Sequence, residues 1–177
     1  TPLDETLSAL EAAVAGGRAR YVGISNFCGW QSARAATLQQ VRGTTVLVAH
    51  QVEYSLLARG VEDEVVGSAA AHGLGLLAWS PLGRGVLTGK YRKGTPADSR
   101  AGSPHLSAFV EGYLDQRCRR IVDAVVTAAD GLGCSPAGIA LSWVRGRPGV
   151  VAPVVGARTA AQLRGTLSSE DVELPEQ

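Results

Sequence analysis

The fold is decided by the stretch Leu74-Gly75-Leu76-Leu77-Ala78-Trp79-Ser80, a short apolar run that ends in a polar residue. A helix-like segment from Val61 to Ala71 precedes it, and a glycine-rich loop from Leu82 to about Ser107 follows it. Because the run is apolar throughout, both faces of the strand that it predicts are expected to be covered, as in parallel sheets. The strand is expected to emerge at Ser80.

The same alternation of helix and strand recurs along the chain. The predicted strands run from Arg20 to Asn26, Thr45 to Gln51, Leu74 to Ser80 and Val150 to Gly156. The first predicted helix has Thr1 as its N-cap and Pro2 at its first position, and it ends at Gly16-Gly17. The other predicted helices run from Gln31 to Val41, Val61 to Ala71, about Ala108 to Leu132, Ser135 to Arg145 and from a cap at Thr159 onward. Strands that alternate with helices in this way predict a parallel sheet with right-handed crossovers.

Two α/β architectures share this alternation, an open doubly wound sheet and a (β/α)8 TIM barrel. The glycine-rich dinucleotide fingerprint of the first is absent after the early strands. Every predicted strand instead ends in polar or small residues, which favours the barrel, where functional groups collect at the strand ends. A complete barrel has eight strands in about 250 residues, so we expect this chain to supply roughly half of one.

The composition argues against several classes of function. The chain has 177 residues, 45% of them hydrophobic, and a formal net charge of +1, which suits one sizeable core. So small a charge argues against nucleic-acid and membrane-surface binding, and no run approaches the ~18 apolar residues of a membrane span. Cys28, Cys118 and Cys134 lack metal-site or redox-motif spacing. We therefore expect free cysteines without a functional role, no metal site and a cytoplasmic protein.

Two side-chain amides and an aromatic ring end three of the predicted strands. Asn26 and Gln51 can each donate and accept hydrogen bonds in one plane, which suits a planar carboxamide such as that of nicotinamide. Trp79 offers a flat face for stacking on a heteroaromatic ring. Each residue also has an ordinary interpretation, namely a turn residue, a solvated strand end and a core side chain. Their occurrence on successive strand ends favours a nucleotide cofactor.

The glycine-rich loop has the chemistry of a pyrophosphate-binding site. Gly83 and Gly85 allow backbone N–H groups to approach an anion closely. Ser80 adds a hydroxyl group, and Arg84 and Lys90 add positive charge. A flexible surface loop is the alternative interpretation of the same residues.

A second anion site is predicted where Gly156-Ala157-Arg158-Thr159 opens the last helix. Helix N-termini attract phosphate groups, and arginine binds phosphate bidentately. A further phosphate at this place suits the 2′-phosphate of an NADP-type cofactor better than NAD. An ordinary helix capped by Thr159 is the alternative.

Four motifs resemble those of the aldo-keto reductase family, and the resemblance covers essentially the whole chain. The motifs are Gly23-Ile24-Ser25-Asn26-Phe27, Gln51-Val52-Glu53-Tyr54-Ser55-Leu56-Leu57, Trp79-Ser80-Pro81-Leu82-Gly83-Arg84-Gly85-Val86-Leu87-Thr88-Gly89-Lys90-Tyr91 and Val155-Gly156-Ala157-Arg158-Thr159-Ala160-Ala161-Gln162-Leu163. They are most similar to the bacterial branch that also resembles voltage-gated potassium channel β-subunits. The resemblance implies a TIM barrel, of which this chain supplies roughly the last four strand–helix units. It also implies NADPH binding without a Rossmann domain, and reduction of small-molecule aldehydes and ketones.

The resemblance implies a set of cofactor-binding residues. Ser25, Asn26 and Gln51 would hold the nicotinamide carboxamide, and Trp79 would stack on the nicotinamide. The phosphates would be surrounded by Ser80, Pro81, Leu82, Gly83, Gly85, Lys90 and Arg100, and the adenosine end by Gly156, Arg158 and Gln162. The family usually has Glu and Asn where this chain has Gly165 and Thr166, a departure that loosens the expected grip on adenine.

No catalytic residue is assigned in this chain. The family's catalytic Asp, Tyr, Lys and His lie on earlier strands, and the segment that resembles Thr1 onward begins just after that His. We therefore expect residues 1–177 to be the C-terminal half of a single barrel domain whose N-terminal half is absent. Such a half-barrel would have open sheet edges through which it could self-associate. Two other functions stay open, a redox-sensing regulatory subunit of the channel-β type and a truncated, non-catalytic remnant.

Overall fold

The computed structural model describes residues 1–175, in which helices and strands alternate. The strands are β1 (Val22–Ser25), β2 (Leu47–Glu53), β3 (Gly75–Trp79) and β4 (Val150–Val154). The helices are α1 (Leu3–Ala15), α2 (Gly29–Arg42), α3 (Val65–His72), α4 (Ser107–Glu111), α5 (Gln116–Leu132), α6 (Pro136–Arg145) and α7 (Ala160–Leu167). Short 3-10 turns occupy Gly60–Glu62, Gly83–Thr88 and Ser168–Asp171.

The strands within residues 1–175 form one four-stranded parallel sheet in the order β1-β2-β3-β4. Ile24 pairs with His50, and Ser25 pairs with Gln51, in parallel register between β1 and β2. The order of the strands in the sheet is their order in the chain, and helices connect them. This arrangement confirms the predicted α/β class and is consistent with part of a (β/α)8 barrel.

The chain divides into two compact units. The first unit comprises Thr1–Glu53, Gly60–Leu77 and Pro148–Ala152. The second comprises Tyr54–Arg59, Ala78–Arg147 and the chain from Pro153 onward. Ser25, Asn26 and Gln51 therefore belong to the first unit, whereas Trp79 and the residues predicted to surround the phosphates and adenosine belong to the second.

Helices α2 and α3 approach closely in the first unit because α2 begins with Gly29. A Cβ on Gly29 would lie only 2.8 Å from the Cβ of Glu64, so a larger residue would push the helices apart. The hydroxyl oxygens of Ser32 and Ser68 lie 2.8 Å apart, and each lies within 3.0 Å of the Gly29 carbonyl oxygen. Because the two hydroxyls have two protons between them, at most two of these three contacts are hydrogen bonds at any one time.

His50 lies on β2 with its side chain fully buried. Neither ring nitrogen makes a hydrogen bond of ordinary geometry within residues 1–175. Burial lowers the pKa of His50 below its usual value of 6.5, and the nearby Phe27 backbone opposes this shift only in part. The ring is therefore neutral at neutral pH and is shielded from any substrate in solvent.

Helices α5 and α6 form the core of the second unit. The buried cluster contains Leu57, Val86, Leu87, Val110, Cys118, Val122, Val125, Ala129, Ile139 and Ala140. The Ser135 hydroxyl caps α6 by accepting a 3.0 Å hydrogen bond from the Gly138 N–H, and Pro136 takes the first helical position, as predicted. The Ser142 hydroxyl donates to the Val172 carbonyl oxygen at 2.6 Å, which fastens the following chain to α6.

The helix predicted from about Ala108 to Leu132 is two helices, α4 and α5, separated by Gly112 to Asp115. Asp115 is the N-cap of α5, and its carboxylate accepts a 2.7 Å hydrogen bond from the Cys118 N–H. This side-chain bond satisfies an N–H group that a continuous helix would have bonded to its own backbone. The apolar periodicity continues across the break, which is why the sequence pattern alone predicted one helix.

No single helix in residues 1–175 is long and apolar enough to cross a membrane. Helices α5 and α6 meet the length and composition criteria only when they are counted together, across a break at which they bend by 99°. The same residues contain no group of three or more His, Cys, Asp or Glu side chains that could hold a metal ion.

We predict that acid destabilises the protein through His50. The unfolded chain binds a proton on this ring near pH 6.5, whereas the folded protein does so only at lower pH. The free energy of unfolding therefore falls as the pH drops below about 6.5. His50→Leu should remove this part of the pH dependence, because the apolar side chain has no proton to bind. Denaturant titrations across this pH range test the prediction, with the exposed His105→Asn as control; an unchanged profile in His50→Leu would contradict it.

We also predict that Cys118 is the slowest of the three cysteines to react. Its side chain is 2% exposed, and burial together with the Asp115 carboxylate raises the pKa of its thiol to about 11. Because the thiolate is the reactive form, iodoacetamide should modify the half-buried Cys28 and Cys134 first. Mass spectrometry after timed alkylation measures the three rates, and denaturant should make them equal. Equal rates in the folded protein would show that Cys118 is accessible.

Candidate functional site

The strand ends of the first unit bring Ser25, Asn26 and Gln51 together. Ser25 is the register partner of Gln51, and the Asn26 N–H donates a 2.9 Å hydrogen bond to the Gln51 carbonyl oxygen. Gln51, predicted at the end of its strand, lies inside β2, which continues to Glu53. Asn26 has a left-handed backbone (φ 57°), which asparagine adopts more readily than most residues. The turn interpretation therefore accounts for its backbone, and its role toward a carboxamide stays a prediction.

The loop after β3 has an unusual run of left-handed backbone in the second unit. Ser80, Gly83, Arg84 and Gly85 have φ angles of 51°, 53°, 59° and 94°. The Gly83 N–H donates to the Ser80 carbonyl oxygen at 2.8 Å, and the Gly85 N–H donates to the Leu82 carbonyl oxygen at 3.0 Å. Both glycine N–H groups are thus used inside the loop rather than presented to an anion.

Gly83 and Gly85 allow the left-handed backbone of the loop, and their lack of a side chain leaves room for neighbouring groups. A Cβ on Gly83 would lie 2.7 Å from the Cδ1 of Leu57, so this position is close-packed. A Cβ on Gly85 would lie 3.1 Å from the Nζ of Lys90. The absence of a side chain at Gly85 therefore allows the Lys90 ammonium group to lie directly over the loop.

Residues from this loop, from the end of β4 and from α7 enclose a cavity of about 500 Å³ in the second unit, which we call the Arg158 cavity. Its lining is Ser80, Pro81, Leu82, Arg84, Gly85, Thr88, Lys90, Arg100, Ser135, Ala137, Val154, Val155, Gly156, Arg158, Gln162, Gly165 and Thr166. Every residue predicted to surround the phosphates and adenosine lines this cavity, except the buried Gly83. The size falls in the range of about 300–1,000 Å³ that is usual for small-molecule sites.

The Arg158 cavity is strongly basic. Four of its lining side chains are cationic, namely Arg84, Lys90, Arg100 and Arg158, and none of its lining residues is acidic. Charges of one sign around a concave surface concentrate anions there. The donors present therefore fit the phosphate groups of a nucleotide.

Arg158 is held at the N-terminus of α7 by a small network. The Thr159 hydroxyl caps the helix by accepting a 3.2 Å hydrogen bond from the Gln162 N–H. The Gln162 Oε1 accepts a 2.9 Å bond from the Arg158 N–H, and the Arg158 Nη2 donates to the Asp98 carbonyl oxygen at 3.0 Å. Thr159 thus caps α7, as the alternative interpretation predicted. The contacts with Gln162 and Asp98 position Arg158 on the cavity wall.

Arg84 contacts three aromatic rings that the sequence pattern did not connect with it. Its guanidinium carbon lies 3.7 Å from the ring centre of Phe109, 5.0 Å from that of Tyr113 and 5.9 Å from that of Trp79. One guanidinium nitrogen also donates to the Phe109 carbonyl oxygen. The only signal in the sequence was the spacing of Phe109 and Tyr113, four residues apart, which looks like an ordinary helix face. Arg84 therefore joins Trp79 to the segment around α4.

The chain belongs to the aldo/keto reductase family. The family's sequence model matches residues 1–177, the whole of the chain, and confirms the resemblance carried by the strand-end motifs.

Three curated relatives match nearly the whole of this chain. An uncharacterized oxidoreductase of Bacillus subtilis, YrpG, is 37% identical over 98% of this chain and 51% of its own length. A probable voltage-gated potassium channel subunit beta of Arabidopsis thaliana is 33% identical over 97% of this chain and 53% of its own. Protein tas of Escherichia coli is 36% identical over 97% of this chain and 49% of its own. The chain thus spans about half the length of the relatives that it matches.

We predict that Gly85→Ala lowers both stability and anion binding. Alanine at a φ of 94° is strained, and its Cβ would push the flexible Lys90 side chain back by a few tenths of an ångström. The expected loss is about 1–3 kcal/mol of unfolding free energy. Gly67→Ala in α3 is the matched control, because its Cβ meets nothing within 4 Å. It should gain about 0.5–1 kcal/mol. Thermal melts and pyrophosphate titrations check both variants. A Gly85→Ala variant as stable as the wild type would contradict the backbone strain, and an unchanged pyrophosphate affinity would contradict the close approach of Lys90.

Proposed function

We propose that this chain is the cofactor-binding half of an NADPH-dependent oxidoreductase that reduces aldehydes and ketones to alcohols. The observation that supports this best is the Arg158 cavity, which has four cationic side chains and no acidic lining residue. Membership of the aldo/keto reductase family supplies the class of reaction. The name of the Bacillus subtilis relative, an oxidoreductase, is consistent with it.

Three of the cations would hold the phosphates of NADPH. Lys90 lies over the Gly85 backbone, and Arg100 and Arg158 line the same cavity. Arg84 is already engaged with Phe109, so it would contribute charge more than direct contact. Arg158 stands beside the N-terminus of α7, where the helix dipole adds positive potential. This combination would favour a further phosphate, and hence NADP over NAD.

The remaining cofactor contacts follow from the family resemblance. Ser25, Asn26 and Gln51 would bind the nicotinamide carboxamide, and Trp79 would stack on the nicotinamide ring. When bound, NADPH supplies the hydride for the reduction. The groups that orient the carbonyl and donate its proton would lie outside this chain, since His50 is buried and no motif of the catalytic type occurs in residues 1–177.

Two further predictions belong to this proposal. The cysteines are all free thiols, which supports a cytoplasmic location. Self-association through the edge strands β1 and β4 would cover their unpaired backbone groups wherever these four strands fold without the rest of a barrel.

The proposal predicts that Arg158→Ala selectively weakens binding of the 2′-phosphorylated cofactor. Fluorescence titrations with NADPH and NADH measure both affinities, and Arg164→Ala is the matched control, because Arg164 is exposed on α7 but does not line the cavity. We expect Arg158→Ala to weaken NADPH about tenfold or more, as for a charge-assisted hydrogen bond. NADH should change much less, because it lacks the third phosphate.

Activity of the full-length protein completes the test. NADPH oxidation should depend on an added aldehyde or ketone and should be lower in Arg158→Ala than in Arg164→Ala at limiting NADPH. Equal affinities of the wild-type protein for NADPH and NADH would overturn the cofactor assignment. Cofactor binding without carbonyl-dependent oxidation would overturn the reductase assignment while leaving the binding site in place.

A further inference from the structure

A second cavity, of about 510 Å³, lies elsewhere in the second unit and shares no lining residue with the Arg158 cavity. The loop from Tyr91 to Thr95 forms one side, and the first turns of α5 form the other. We call it the Arg119 cavity, after the arginine on its α5 side. Nothing in the proposed reduction uses these residues.

The floor of the Arg119 cavity is apolar, and its walls include two phenol rings. Val86 and Val122 are each 4% exposed and belong to the buried cluster of the second unit. Tyr91 and Tyr113 are half-buried and line the same cavity. Half-buried aromatic walls over an aliphatic floor suit a flat apolar group.

The rim carries uncompensated positive charge. Asp123 is the only acidic lining residue, and its carboxylate accepts a 2.7 Å hydrogen bond from the Arg92 guanidinium. Lys93 and Arg119 also line the cavity, are exposed, and have no acidic partner within residues 1–175. Pairing Arg92 with Asp123 leaves two cations facing one opening.

Helix stability does not explain the charge on Arg119. Three arginines, Arg117, Arg119 and Arg120, occupy the first two turns of α5, whereas the acidic residue at this helix end is the single N-cap Asp115. Positive charge near a helix N-terminus opposes the helix dipole and is unfavourable. Because the Asp115 carboxylate already caps this helix end, the positive potential at the mouth of the cavity comes from Arg119 and Lys93.

We propose that the Arg119 cavity binds a small organic anion with a flat, apolar body, such as an aromatic carboxylate. The aromatic body lies on Val86 and Val122 beside the two tyrosine rings. Its carboxylate meets Arg119 and Lys93. The site is independent of the proposed reductase function, because it rests on residues that the Arg158 cavity does not contain.

Calorimetric titration with 2-naphthoate tests the proposal on the full chain. 2-Naphthylmethanol has the same ring system without the charge, and acetate has the charge without the rings, so both should bind at least about tenfold more weakly. Arg119→Ala should weaken naphthoate about tenfold, as for loss of a charge-assisted hydrogen bond. Arg120→Ala, a neighbouring exposed arginine that does not line the cavity, should leave the affinity unchanged.

A variant that binds more tightly completes the test, because misfolding could explain a loss of affinity but not a gain. Asp123→Asn removes the only acidic lining residue and frees Arg92, so naphthoate should bind more tightly. The ion pair is exposed on both sides, so its loss should change stability little. Arg158→Ala separates the two cavities and should not affect naphthoate. Equal losses in Arg119→Ala and Arg120→Ala, or binding that depends on Arg158 instead, would overturn the proposal.

Discussion

The left-handed backbone between Ser80 and Gly89 determines where the side chains of Arg84 and Lys90 lie. Each residue with positive φ changes the direction of the chain. The N–H groups of Gly83 and Gly85 stabilise these turns by donating hydrogen bonds to carbonyl oxygens within the same loop. The turn carries Arg84 to the rings of Trp79 and Phe109 and leaves space for Lys90. A non-glycine residue in this conformation is costly, so the surrounding packing must hold it in place.

The two cavities meet at the end of this loop. Lys90 lines the Arg158 cavity, and the next residue, Tyr91, lines the Arg119 cavity. The Lys90 ammonium group lies 5.1 Å from the centre of the Tyr91 ring, so the two neighbours are in contact with each other. A change in the position of either side chain would therefore alter the position of the other.

The sequence pattern was sufficient for the sheet because short apolar runs that alternate with helices leave a strong local signal. The expectation that both faces of the strands are covered was wrong: residues of β1 alternate between buried and exposed, and Val151 in β4 is 70% exposed. The glycines and cations that follow β3 and precede α7 indicated part of the Arg158 cavity, and the family resemblance added Pro81, Leu82, Arg100 and Gln162. The sequence pattern did not predict the contact between Arg84 and Phe109, because these residues are 25 positions apart and neither is unusual locally. The end of β2 was also missed, because pairing with neighbouring strands, rather than residue type, extends it to Glu53. His50, the last residue but one of the predicted strand, lies in the interior of the structure.

The wall of the Arg158 cavity can be altered by substitution at Gly165. It lies within α7 and lines the cavity, and a Cβ at this position would meet no other atom within 4 Å. Glycine inside a helix is less favourable than alanine by about 0.5–1 kcal/mol, so most replacements would strengthen the helix while they reshape the wall. Mutation and selection can thus alter what fits against α7 without first acquiring a compensating change elsewhere. A substitution at Gly165 could therefore change which ligand the cavity prefers without impairing folding.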